Sequence, residues 1–256
     1  MIKAIITDLD RTLLRTDKSI SPHTQQVLNA CREKGFRIFA ASARPMRFIT
    51  SYEDIFRFDA AATMNGAILY TPRGMKEFGI SKEIAETFLE KLCDFSDVFL
   101  SVETNRGLYS NREIPEWEPI VYHDFPKMPT DTVVYKILAS SEDARLYEKI
   151  DETLCDGVYS SIAHSGVIGQ LIQIMSNKAT KWNGVMEMLA EFGISPDEAV
   201  YFGDDNDDIQ SIKQCGIGVA VANSIPKVLE VADEITQCND EDGVADWIEK
   251  RILCNL

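Results

Sequence analysis

Apolar runs of strand length alternate with helix-length segments near the start of this chain and again near its end, and that alternation restricts the fold more than any other feature. Ala4, Ile5 and Ile6 read as a strand buried on both faces. Ser21-Pro22 then opens a helix, with serine as N-cap and proline at the first helical position, and Gly35 stops it. Val27, Leu28 and Cys31 fall on its inward face. Residues 36–40 form the next apolar run, followed by Ser42-Ala43-Arg44-Pro45 and a helix over 48–55; residues 59–64 are a third short strand ending at Asn65-Gly66. After residue 180 the pattern resumes with a helix over 182–192, a strand over 199–202, a helix over 209–214 and a strand over 218–221. Strand and helix in alternation predict a doubly wound, mostly parallel, Rossmann-like α/β sheet, with ligands at the carboxyl ends of its strands.

The middle of the chain has a different rhythm. A helix over 84–93 is followed by two strands joined by Asn105-Arg106-Gly107 and by a loop over 115–129 rich in proline, tryptophan and acidic residues. A strand over 133–139, a helix over 144–154 and paired strands near Val158 and Leu171 complete it. Strands grouped apart from helices predict a separate α+β unit over 82–179, inserted into a core made of 1–81 and 180–256. Gly79-Ile80-Ser81 and Ser176-Asn177-Lys178 are the expected junctions.

The net charge of −15 argues against sequence-independent nucleic-acid binding, which needs clustered Lys and Arg to neutralise phosphates. No run is long and apolar enough to suggest a bilayer span, and Met1 leads directly into a strand without a leader pattern, so the expected location is cytoplasmic, with no membrane partner. The six cysteines form no Cys-x-x-Cys pair and read mostly as small buried hydrophobes. His23, His123 and His164 are dispersed and suggest no site, and there is no Gly-x-Ser-x-Gly elbow.

Four blocks carry chemistry. Asp8 and Asp10 end the first strand in Thr7-Asp8-Leu9-Asp10, and side chains two apart in a strand point the same way, so they are expected to project together. Two carboxylates there repel unless a cation, a proton or a catalytic task offsets the cost, although an acidic turn opening onto solvent also fits the pair alone. Ser42 follows the second strand, where a hydroxyl and the next backbone amides can bind an anion; alone it also fits a turn or a cap. Lys181 opens a helix, a cation at the positive end of the dipole that some other interaction has to favour unless it is simply solvated. Last comes Tyr201-Phe202-Gly203-Asp204-Asp205-Asn206-Asp207-Asp208, four aspartates in five positions after an apolar strand. Helix-start decoration accounts for one or two of them; coordination of Mg²⁺ by hard oxygens accounts for the crowd.

In order and spacing these blocks resemble the haloacid dehalogenase-like phosphohydrolases, and the position of the insertion resembles the Cof-type members of subfamily IIB. The likeness takes in Asn65-Gly66-Ala67 and Asn223 after Val219-Ala220-Val221-Ala222. It implies that Asp8 is a nucleophile forming an aspartyl-phosphate and that Asp10 protonates the leaving oxygen and then deprotonates water. It implies further that Mg²⁺ is held by Asp8, the Asp10 backbone carbonyl and Asp204, with Asp208 close by through water or orienting Lys181. Ser42 and Lys181 would hold the phosphoryl group, with Ala43, Asn65 and Asn223 also substrate-binding, and the inserted unit would be a cap that chooses the leaving group. The expected activity is Mg²⁺-dependent hydrolysis of small phosphorylated metabolites, sugar phosphates first among them. A phosphotransferase or phosphomutase using the same intermediate, or a non-catalytic phosphate-binding protein, is the alternative. Arg11 and Ala43 stand where the family usually has glycine, Trp182 where small residues are frequent, and Asp207 where asparagine is usual, so a local hydrogen bond at 207 is expected to be lost or inverted.

Overall fold

The computed structural model describes residues 1–95, 97–115, 117, 119–121, 125, 131–143, 145–165 and 168–255, with the backbone alone at 163–165 and 255. His123, the His164 side chain and most of the 115–129 loop therefore lie outside the described residues. The chain divides into two compact units, one of Met1–Lys76 with Thr180–Leu256, the other Glu77–Ala179.

The first unit is built on an eight-stranded sheet. Its strands are β1 (Ala4–Thr7), β2 (Arg37–Ala41), β3 (Ala60–Thr63), β4 (Ile68–Thr71), β5 (Gly74–Glu77), β12 (Ala199–Gly203), β13 (Ile217–Val221) and β14 (Glu234–Thr236), in the order β14-β13-β12-β1-β2-β3-β4-β5. From β14 to β3 all pairings are parallel, and β3 pairs antiparallel with β4. β1 is fully buried, as its unbroken apolar run requires, and burial of an isoleucine such as Ile5 contributes about 2 to 3 kcal/mol. Ile5, Ile38, Val200, Phe202 and Val219 pack toward α1 (Pro22–Glu33) and α8 (Gly243–Arg251), through Val27, Leu28, Trp247 and Ile248. α5 (Lys181–Phe192) lies against β2, β3 and β4, and α6 (Ile209–Gln214) against β12 and β13. α1 starts where expected, the Ser21 hydroxyl accepting the Thr24 amide at 3.0 Å, and Gly35 takes a left-handed φ of 90° beyond its end.

β2 and β12 flank β1 on opposite sides, so the sheet changes direction of growth at β1 and leaves a crevice at the carboxyl ends of these strands. Several local expectations are corrected. The helix over 48–55 is only α2 (Met46–Thr50), followed by turns that still bury Tyr52 and Phe56 on the side of Ile49. The β4–β5 extension, α7 (Pro226–Leu229), β14 and α8 were not predicted; their apolar residues are too few or too short in run to stand out. Of the six cysteines only Cys31 and Cys215 are buried, and burial pushes their thiols up to about 11 and about 12.

The second unit has a six-stranded sheet made of β6 (Phe99–Thr104), β7 (Gly107–Ser110), β8 (Ile120–Val121), β9 (Val134–Ser140), β10 (Val158–Ser165) and β11 (Gly169–Ser176), ordered β10-β11-β9-β6-β7-β8. Its pairings are antiparallel except β7 with β8. α3 (Lys82–Cys93) and α4 (Arg145–Thr153) pack on it through Phe88, Leu92, Leu146 and Ile150. The unit begins at Glu77, ahead of the Lys82 expected, because Ile80 bridges to Val134 and Tyr135 donates its hydroxyl to Glu77. No helix among the described residues is long and apolar enough to cross a membrane.

Candidate active site

The acidic residues gather where the parallel strands end. β1 stops at Thr7, and the Asp8 amide still donates to the Phe202 carbonyl at 2.9 Å, which fixes the residue immediately past the strand. Lys181, first residue of α5, places its ammonium 3.0 Å from Asp8 Oδ1 and 2.7 Å from Asp208 Oδ1. The helix start is pinned by close packing. Gly66, at φ 89°, has the Thr180 carbonyl oxygen 2.3 Å from where a Cβ would sit, so only glycine lets the β3 loop lie against the start of α5. The cost of a cation at this helix start is offset by the two carboxylates it meets.

Asp208 is completely buried and fully subscribed. Its Oδ1 accepts Lys181 and the Tyr201 hydroxyl at 2.7 and 2.6 Å, and its Oδ2 accepts the amides of Asp204 and Asp205, each at 3.1 Å. At Gly203 a Cβ would lie 2.5 Å from the Asp208 Cβ, so this turn too is closed to any side chain. Asp204 is held by the Thr12 hydroxyl, which donates to Oδ1 at 2.9 Å.

Asp8, Asp204 and Asp208 each offer an oxygen within 4.8 Å of the others, with Lys181 the ammonium paired among them. Burial raises the Asp8 carboxyl, Lys181 opposes this, and Asp208 and Asp204 raise it further, leaving it well above the ordinary carboxylate range. Asp204 is pushed up to about 6, by burial and then by Asp208, against the Thr12 hydrogen bond. Burial acts to lower the Lys181 ammonium, but Asp208 and Asp8 more than reverse it and hold it charged. Buried hard-oxygen donors with more negative charge than one ammonium balances fit a divalent cation, whose charge would relieve the strain on Asp8 and Asp204.

Asp10 does not join this cluster, contrary to the expectation that it projects with Asp8. The strand has ended, so the two-residue alternation no longer applies, and its carboxylate turns instead to Lys18 Nζ at 2.6 Å and to Arg44, whose Nε and Nη2 donate at 2.5 and 2.9 Å. Burial acts to raise Asp10, but the hydrogen bonds from Arg44 and Lys18 outweigh it and hold the group below its ordinary value. Lys18 is itself placed by Tyr52, whose hydroxyl donates to the Lys18 carbonyl at 2.7 Å.

Ser42 is buried beyond β2. Its Oγ accepts the Arg44 amide at 3.2 Å, its carbonyl accepts the Asn65 amide at 2.9 Å, and Ala43 beside it is exposed. Asn65, left-handed at φ 55°, donates its side-chain amide to Asp207, so at 207, where a hydrogen bond was expected to be lost or inverted, a bond is made with Asp207 as acceptor. The Asn65 Oδ1 is buried without a hydrogen-bond partner among the described residues. Asn223 is tied to Arg11, not to the carboxylates. Sequence reasoning missed Thr12, Lys18, Arg44 and Tyr201. A tyrosine in a strand buried on both faces needs a partner for its hydroxyl and could have pointed to Asp208; nothing in the pattern marks Lys18.

The family model for haloacid dehalogenase-like hydrolases matches residues 5–248. YxeH of Bacillus subtilis is 26% identical over 275 residues, spanning 99% of both chains. The 5-amino-6-(5-phospho-D-ribitylamino)uracil phosphatase YitU of the same organism is 24% identical over 265 residues, spanning 96% of each. In structure, the phosphatase BT1666 of Bacteroides thetaiotaomicron matches with a TM-score of 0.84 at 23% identity, over 98% of this chain and 95% of its own. The subclass IIB sugar phosphatase BT4131 matches at 0.78 and 22%, over 97% and 98%. The chain belongs to the haloacid dehalogenase-like hydrolases.

Proposed function

We propose that this enzyme hydrolyses phosphomonoesters of small metabolites, sugar phosphates first among them, with Mg²⁺ and through an aspartyl-phosphate on Asp8. The observation that carries this reading is the Asp8 carboxylate held 3.0 Å from Lys181 beside Asp204 and Asp208. Asp8, Asp204 and the Asp10 backbone carbonyl would hold the ion, and Asp208, its oxygens already taken, would orient Lys181. When bound, the cation supplies the positive charge that lets a phosphate dianion approach the carboxylates.

An Asp8 oxygen attacks phosphorus and the bond to the leaving oxygen breaks, that oxygen taking a proton from Asp10. Water then attacks phosphorus, gives its proton to Asp10, and the Asp8–phosphorus bond breaks to release phosphate. Lys181, the Ser42 hydroxyl, the Ala43 amide, Asn65 and Asn223 would hold phosphoryl and substrate oxygens, and positioned charge supplies most of the acceleration in such transfers. Arg44 and Lys18 hold Asp10 ionised, the form that accepts a proton from water, so their contacts have to loosen before Asp10 can donate. The inserted unit is proposed to select the leaving group, and the enzyme to work in the cytoplasm.

The test is phosphate release from a panel of phosphorylated metabolites with no acceptor but water, in Mg²⁺ and after exhaustive chelation. Release that needs Mg²⁺ and favours sugar phosphates is expected. Transfer only to an added hydroxyl acceptor would make the enzyme a phosphotransferase, and undiminished release after chelation would remove the metal from the mechanism.

A further inference from the structure

Arg11 occupies a backbone conformation that favours glycine, with φ at 60°. It is held there from both ends: the Asn223 side-chain amide donates to the Arg11 carbonyl at 2.8 Å, and the Arg11 guanidinium donates to the Asn223 carbonyl at 3.2 Å. Asn223 is fixed in turn, its Oδ1 accepting the Asn239 amide at 2.9 Å. This bracket brings Arg11 Nε to 3.8 Å from Asp204 Oδ2. Thr12 occupies the other oxygen, Oδ1, and Lys181 is paired with Asp8 and Asp208, so Arg11 faces the oxygen of Asp204 that accepts no hydrogen bond among the described residues.

We propose that Arg11 is a tethered counter-cation for Asp204, competing with a divalent ion for Oδ2 and so weakening metal binding at this site. The proposal rests on the reading of Asp204 as a metal ligand. A guanidinium keeps its charge at every working pH, so the competition is set by position and not by protonation. The side chain is 60% exposed, which screens the interaction and lets the guanidinium swing aside when an ion takes the oxygen. A modest effect follows, about three- to tenfold in Kd.

Titration calorimetry with MgCl₂ tests it on the full chain, comparing wild type, Arg11→Gln, Arg11→Lys and Asp204→Asn. Arg11→Gln is expected to bind Mg²⁺ about three- to tenfold more tightly, whereas Arg11→Lys, which keeps the charge, stays near wild type. Thermal unfolding in EDTA at pH 8 gives a second readout: Arg11→Gln should unfold at a lower temperature, since the crowded carboxylates lose a counter-charge, and should gain more from added Mg²⁺. Equal or weaker Mg²⁺ binding by Arg11→Gln overturns the proposal while the metal site stands. If wild type fails to bind Mg²⁺, or Asp204→Asn binds it equally well, the reading of Asp204 as a ligand falls and the proposal with it.

Discussion

Replacing Asp204 by asparagine should make the chelated enzyme more stable at alkaline pH while removing its response to Mg²⁺. The Asp204 carboxyl is pushed up to about 6 from an ordinary value of 3.8, first by burial and then by Asp208. A raised carboxyl binds more protons in the folded than in the unfolded chain between those two values. Its contribution is therefore fully present below pH 4 and lost as pH rises through about 6. At 1.36 kcal/mol per pH unit the loss is about 3 kcal/mol, or about 6 to 12 °C in unfolding temperature for a unit of this size. Asparagine keeps an oxygen for the Thr12 hydroxyl but carries no charge, so this part of the pH dependence disappears. The assay is urea unfolding in EDTA from pH 4.5 to 8 in a Trp117→Phe background, where Trp182 and Trp247 report on the first unit alone. Between the ends of that range the wild type should lose about 2 kcal/mol more than the variant, because about 1 kcal/mol of the full loss has already occurred at pH 4.5, Asp8 contributing to the slope of both. Mg²⁺ at pH 8 should restore stability to the wild type only. Superimposable pH profiles for the two proteins would refute the electrostatic account of this cluster.

Asp8→Asn should abolish turnover while the protein stays folded, and substantial phosphatase activity in that variant would remove Asp8 as nucleophile. Asp10→Asn should slow alkyl phosphates far more than aryl phosphates, because a stable leaving oxygen needs no proton; equal losses would count against Asp10 as the acid. Lys181→Met should inactivate the enzyme and cost about 3 to 5 kcal/mol in urea unfolding at pH 8, since Asp8 and Asp208 lose their shared buried cation. Tyr201→Phe should cost about 1 to 3 kcal/mol by taking a donor from Asp208, and should lower kcat with little change in KM if Asp208 serves to orient Lys181.

What the sequence determined by itself was the part governed by local pattern. Buried parallel strands announce themselves as unbroken apolar runs, so β1, β2, β12 and β13 were legible, as was α1 from Ser21-Pro22 and Gly35. The placement of Asp8, Ser42, Lys181 and Asp204 at strand and helix ends followed from the same runs. Partners distant in sequence were not legible, because they depend on which loops the sheet order brings together. The strand rule paired Asp10 with Asp8, but β1 ends at Thr7, before either aspartate, and Asp10 went to Lys18 and Arg44. Thr12 reaches Asp204 and Arg11 reaches Asn223 only because β12 and β13 lie to one side of β1. Asp207 became an acceptor only when Gly66 let the β3 loop turn Asn65 toward it. Backbone periodicity is a property of neighbours in the chain, whereas charge pairing in a buried crevice is a property of neighbours in space, and only the folded sheet supplies those.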